Sequence, residues 1–220
     1  MTVFIVIYLL ALLCYLYTRN TDDMRNRAIN KYFMSTMYLG LGISTFLKKY
    51  TFTSYDTLLL AALILAWFGD FFLVFDFGRG GDFFLSGNIC FTLYYQCVLA
   101  DYKYSLGDFG WSLIAAAIMV ITFILACQFW PNVFKLGKMR WLMTFYLSSI
   151  FTHGMTGLAI ALLMRGTNYM IMGIGSVLFM ISDMILTSYK FVFGRKKWLV
   201  RANSITYFIG LLLIVLGMAS

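Results

Sequence analysis

Two aspartates lie inside stretches that are otherwise almost wholly apolar: Asp70 within AALILAWFGDFFLVF and Asp183 within MGIGSVLFMISDMILTSYKF. All nine acidic residues of the chain are Asp, and the other seven fall at the ends of apolar segments or between them. A carboxyl placed in hydrocarbon is costly unless it is paired, protonated or facing water, so such residues mark functional sites. Two carboxyls brought close in a low dielectric cannot both ionise easily; they share a proton and titrate as a unit. The chemistry this pair suits is proton transfer, either to a substrate or along a relay. No Lys or Arg stands at the centre of an apolar segment, so the sequence offers neither aspartate a cationic partner.

The elements that must position them are membrane helices. Of 220 residues 62% are hydrophobic and 12% charged, with a mean hydropathy of +0.84, whereas soluble domains are nearer half apolar and a quarter charged. Apolar runs of about twenty residues, each long enough to cross a bilayer as a helix, recur at 2–17, 32–47, 57–77, 83–100, 109–129, 141–163, 169–189 and 199–218. The expected fold is all-α: one polytopic membrane domain over 1–220 with eight transmembrane helices. The first run lacks a basic flank and a small-residue cleavage site, and reads as a retained helix.

The net charge of +8 is distributed by sidedness. Thirteen of the 17 basic residues, Arg19, Lys31, Arg79, Lys135 and Arg195 among them, fall in alternate connections; only Lys48, Lys49, Lys103 and Arg165 occupy the others. This positive-inside pattern predicts both termini outside the cell membrane and the basic loops in the cytoplasm, and it argues against a nucleic-acid partner. Cys14, Cys90, Cys97 and Cys127 lack metal or redox spacing and read as small core residues. With a single histidine, neither a metal nor a cofactor is expected.

The third and seventh segments resemble each other. Gly69-Asp70 aligns with Ser182-Asp183, Leu73 with Leu186, and Phe77-Gly78-Arg79 with Phe193-Gly194-Arg195 across a three-residue insertion. The helices that follow echo one another through Asn88, Thr92 and Tyr94 against Asn203, Thr206 and Tyr207. A 4+4 duplication with parallel halves, approximately 1–105 and 106–220, accounts for this. Asp70 precedes Phe77 by seven residues and Asp183 precedes Lys190 by seven, so each is expected roughly 10 Å inside the cytoplasmic end of its helix. The two carboxyls and the amides of Asn88 and Asn203 would then meet at one level.

These residues bring a family into view. Gly69-Asp70-Phe71-Phe72-Leu73, then Phe84-Leu85-Ser86-Gly87 through Phe91, then Leu178-Phe179-Met180-Ile181-Ser182-Asp183, and Thr206-Tyr207-Phe208 in the last helix resemble the YhhN-type lysoplasmalogenases. The chain departs from that pattern at Tyr94, where members usually carry His, and at Leu211, where a Gln is common. The resemblance implies an eight-helix membrane enzyme that hydrolyses the vinyl ether bond of lysoplasmalogens, lysophospholipids drawn from the membrane, to a fatty aldehyde and a glycerophospho-alcohol. Such a bond is cleaved by protonating its β-carbon, after which water adds to the oxocarbenium and the hemiacetal collapses. One Asp would donate the proton while its ionised partner steadies positive charge and activates water.

Other residues have roles to be placed. Arg79 and Arg195 close the Asp-bearing segments at headgroup depth, where they can bind a lipid phosphate or simply signal topology. His153, with Thr152 and Thr156, faces either the cavity or a neighbouring helix, with interhelical hydrogen bonding favoured. Tyr94, Tyr95 and Gln96 can line a substrate path. Gly78-Arg79-Gly80-Gly81-Asp82 lacks the strand and Lys-Ser/Thr of a phosphate loop and is expected to be a tight turn between helices. Gly40, Gly42, Gly173 and Gly175 are expected where helices approach closely. Paired intramembrane carboxylates also serve proton-coupled transporters, although the single proline, Pro131, leaves the segments without the interruptions that transporters show. A lipid-binding scaffold that has lost turnover is a third possibility.

Overall fold

The computed structural model describes residues 2–18, 24–48, 53–134 and 136–218. Arg19, Asp22, Asp23, Lys49 and Lys135, which entered the charge pattern, lie outside the described residues. Within them the chain forms eight α-helices and one 3-10 turn, Gly137–Met139. The helices are α1 (Thr2–Thr18), α2 (Met24–Leu47), α3 (Asp56–Phe72), α4 (Phe77–Asp101), α5 (Leu106–Phe129), α6 (Arg140–Leu163), α7 (Asn168–Phe191) and α8 (Lys197–Gly217). Five of them, α4 to α8, are long and apolar enough to cross a membrane; α1 is apolar but shorter. Outward-facing Ile114, Ile118, Ile121 and Leu125 give α5 the apolar exterior of a lipid-facing helix. The protein is an all-helical membrane protein.

Six helices close a ring, each packing on the next in the order α2, α3, α4, α6, α7, α8 and back to α2. Outside it, α1 lies against α2 and α8, and α5 packs chiefly on α6. The tightest seams run along α7. A Cβ on Gly173 would stand 2.3 Å from the Gly157 carbonyl oxygen of α6, and one on Gly175 would stand 2.6 Å from the Gly210 carbonyl oxygen of α8. Glycine therefore lets both neighbours approach α7 backbone to backbone, as small residues do where membrane helices meet. Gly42 instead makes room for a side chain, since a Cβ there would stand 2.6 Å from Leu63 Cδ1, but a Cβ on Gly40 would meet nothing within 4 Å. Gly40 is thus not a contact glycine.

The α3–α4 boundary differs from the sequence expectation. Gly78–Asp82 is not an interhelical turn; it is the first part of α4, and the chain reverses at residues 73–76. Asp76 determines this, because its carboxylate accepts from the backbone N–H groups of Gly78 (2.8 Å) and Arg79 (3.4 Å) and so caps the new helix. Arg79 accordingly opens α4 rather than closing α3. Asp70 then lies two residues before the end of α3 and Asp183 eight before the end of α7, roughly 3 and 12 Å along their axes. The equal depth expected within each helix does not hold. The four cysteines are free thiols, but only Cys127 is buried and Cys14 is exposed, so they are not all the core residues expected.

Candidate active site

Asp70 and Asp183 nevertheless reach one cavity. It measures about 480 Å³ and is walled by α1, α2, α3, α4, α7, α8 and the α7–α8 connection, with both aspartates, Lys31, Asn203 and Tyr207 on its surface. That volume lies within the range of small-molecule sites. Both aspartates are buried, 1% and 3% exposed, and Asp183 lies within electrostatic range of Asp70 and Lys31.

The local sequence builds the Asp70 end from three helices. A Cβ on Gly69 would meet the Phe84 ring at 2.7 Å, so glycine before the aspartate lets α4 lie flat against α3. On α2, Lys31, Ser35 and Tyr38 recur at i, i+4 and i+7, which puts all three on one face. Lys31 Nζ pairs with Asp70 Oδ1 at 2.9 Å, while Ser35 Oγ and the Tyr38 hydroxyl donate to Oδ2 at 2.6 and 3.4 Å. From α8 the Tyr207 hydroxyl donates to the same Oδ2 at 2.7 Å. Asp70 is thus a carboxylate fixed by an ammonium and three hydroxyls. The expectation that neither aspartate has a cationic partner is overturned: Lys31, two turns into α2, reaches inward along its four-carbon stem, and its side chain is 14% exposed.

Asp183 is held differently. The Tyr146 hydroxyl of α6 donates to its Oδ2 at 2.5 Å, and this is the one hydrogen bond on that carboxyl among the described residues. One residue earlier, Asn203 Nδ2 donates to the Ser182 carbonyl oxygen at 2.8 Å and to its hydroxyl at 3.1 Å, which ties α8 to the turn of α7 that carries Asp183. Opposite environments for two neighbouring carboxyls are what separates a proton donor from a fixed charge.

A model of the YhhN family matches residues 27–218. The chain belongs to the YhhN family. No curated protein and no solved structure matches it.

Of the residues singled out in this YhhN chain, Asp70, Asp183, Asn203, Tyr207 and Arg195 come together on the cavity. Asn88, Tyr94, His153 and Arg79 do not. His153 is fully buried between α4, α6 and α7, with Nδ1 3.1 Å from Asn88 Oδ1 and Nε2 3.1 Å from Ser176 Oγ. Its ring stacks on Phe91 at 4.7 Å, and Ser176 also meets the Tyr95 hydroxyl. This is the interhelical hydrogen bonding expected of it, and it engages Asn88 there rather than at the aspartates. Tyr94 packs on Tyr55 and Tyr95, and Gln96 lines a separate shallow groove between α4 and α6. Arg79 is paired with Asp76 on the surface. The residues that sequence reasoning missed are Lys31, Ser35, Tyr38 and Tyr146. The i, i+4, i+7 stripe on α2 was the available signal for the first three; Tyr146 had none.

Proposed function

We propose that the protein hydrolyses the vinyl ether bond of lysoplasmalogens, with Asp183 as the general acid and Asp70 as the fixed negative charge. The observation that carries this reading is the half-open cavity whose wall holds both a multiply bonded, ion-paired carboxylate and a carboxyl with one donor. Asp183 delivers its proton to the vinyl carbon remote from oxygen, breaking the C=C π bond and leaving an oxocarbenium. The Asp70 carboxylate stabilises that positive charge from a position fixed before the reaction begins, so no reorganisation is needed. Asp183, now ionised, takes a proton from the water that adds to the cation. The hemiacetal then expels the glycerol oxygen, which leaves protonated, and one water is consumed for each aldehyde released. A positioned proton donor contributes about 10²–10⁴-fold to such a step.

The setting belongs to the same proposal. All eight helices span the bilayer as two parallel four-helix halves, both termini are outside, and the cavity opens toward the cytoplasmic leaflet. Lys31, Lys190 and Arg195 all lie on its wall, and these come from the connections that the charge pattern assigns to the cytoplasm. The pairwise packing of the first four helices recurs in the last four, α1–α2, α2–α3 and α3–α4 matching α5–α6, α6–α7 and α7–α8, which supports the duplication. Lipid enters sideways with its chain among apolar residues such as Leu73, Phe84 and Leu186.

The test is aldehyde release by protein purified in detergent, from an alkenyl lysophospholipid and from its ester counterpart. The alkenyl lipid should yield aldehyde and the ester nothing. In D2O the aldehyde should carry deuterium on the carbon next to the carbonyl. Unlabelled aldehyde would refute protonation at carbon, and ion or solute flux in liposomes without aldehyde would make the protein a transporter.

A further inference from the structure

Two polar side chains of α8, Asn203 and Tyr207, border the cavity at i and i+4, on one face of the helix and about 6 Å apart along its axis. Tyr207 gives its hydroxyl proton to Asp70. Asn203 is half-buried and turns its amide nitrogen to α7, where it donates to the Ser182 carbonyl oxygen at 2.8 Å and to the Ser182 hydroxyl at 3.1 Å. A main-chain carbonyl can only accept, so this contact fixes which end of the carboxamide is nitrogen. Oδ1 is therefore the end left over, and it has no hydrogen-bond partner among the described residues. Nor is it sealed in: the fully buried, unpaired side-chain atoms among those residues are the Thr156 and Thr187 hydroxyls.

The polar groups beside it are committed. Lys31 and Tyr207 bind Asp70, and the Ser204 hydroxyl donates to the Val200 carbonyl oxygen. A fixed oxygen that only accepts recognises a ligand group that donates. Ser182 directly precedes Asp183, and consecutive Cα atoms are about 3.8 Å apart, so the amide is anchored beside the carboxyl that the proposed reaction uses as its acid. In a single-chain glycerolipid the carbon next to the one bearing the ether oxygen carries a free hydroxyl. We propose that Asn203 is a specificity-determining residue whose Oδ1 accepts a hydrogen bond from that secondary hydroxyl and so sets the neighbouring ether against Asp183. That the ether is an alkenyl one rests on the function proposed above; recognition of the hydroxyl does not. A two-chain lipid has an ester oxygen at this place, which only accepts, so the Asn203 oxygen would lose its water without a replacement.

The test uses the full-length protein in detergent with ester lysophosphatidylcholine and two counterparts altered only at the secondary carbon, one bearing hydrogen there and one a methoxy group. Calorimetric titration should show wild type binding the hydroxyl lipid about fivefold more tightly than the deoxy one, the worth of one neutral hydrogen bond. The methoxy lipid should bind no better than the deoxy one. In N203L, which keeps the bulk of the side chain and removes the amide, the hydroxyl and deoxy lipids should bind within about twofold of each other. Freeing Ser182 in this variant shifts all affinities together, whereas the ratio between lipids reads the hydrogen bond alone. Q96L, in the separate groove, should keep the wild-type ratio. If N203L does not fold, N203A is read in the same way. Equal binding of the hydroxyl and deoxy lipids by wild type, a methoxy lipid as tight as the hydroxyl one, or an undiminished ratio in N203L would overturn the assignment. The expected ratios with no aldehyde from an alkenyl substrate would leave the hydroxyl subsite standing and remove the reaction. Aldehyde release at equal kcat/KM from an alkenyl lysolipid and its deoxy counterpart would do the reverse.

Discussion

Replacing Lys31 with Met tests how Asp70 is held. The substitution keeps the length of the stem and removes the ammonium 2.9 Å from Oδ1, leaving a carboxylate whose side chain is 2% exposed. Breaking a buried ion pair from one side costs about 3–5 kcal/mol, because the abandoned charge stays in a poor solvent. Two features move the expectation to the lower end: the Lys31 side chain is 14% exposed, so cavity water screens the pair, and three hydroxyls continue to solvate Asp70. The predicted loss for K31M is thus about 3 kcal/mol. Asp70→Asn keeps shape and most hydrogen bonds and leaves a lysine that can turn to water, so its loss should be about 1–2 kcal/mol. The double variant K31M/D70N has no orphaned charge and should be more stable than K31M alone. Denaturant unfolding of the four proteins in mixed micelles gives the cycle, with an expected coupling of about 1.5 kcal/mol or more. Losses that add to within about 0.5 kcal/mol would show that the two charges are not coupled and would refute the account of Asp70 as an ion-paired carboxylate.

Other outcomes follow from the same structure. Gly173→Ala places a Cβ 2.3 Å from the Gly157 carbonyl oxygen and should lower stability by about 2 kcal/mol or more. Gly40→Ala, with nothing within 4 Å, should be neutral or gain up to about 1 kcal/mol from helix propensity; thermal melts in one detergent compare them. His153→Ala should destabilise by about 2 kcal/mol by leaving the buried Asn88 amide oxygen without its partner and removing one of the hydrogen bonds of Ser176, and the folded fraction should keep the wild-type KM because the ring lies off the cavity. Tyr146→Phe removes the donor on Asp183 and should cut kcat by about tenfold or more with little change in KM, read from initial rates of aldehyde release.

The helices were largely legible because the bilayer demands long apolar runs whatever else the sequence does. The boundary between α3 and α4 was not, since hydropathy runs on through Leu73–Phe75; Asp76 sets it by capping, a local polar signal inside an apolar average. Asp70 and Asp183 were legible as costly exceptions. Lys31 was misread because counting loop charge treats every lysine near a helix end as a headgroup signal, although a four-carbon stem can point inward as readily as outward. Asn88 and Asn203 occupy corresponding places in the proposed repeat, yet one binds His153 and the other ties down Ser182. Equivalent positions in two helices need not face one site, because each helix turns its polar residues to the neighbour it has.

The role of Asp183 as proton donor is tested most directly by the rate of aldehyde release from Asp183→Asn, measured on protein shown to melt like wild type. The amide keeps the Tyr146 contact and cannot give up a proton to carbon, so the rate should fall by at least about 10². Aldehyde release within about threefold of wild type, a change too small for loss of a general acid, would contradict it.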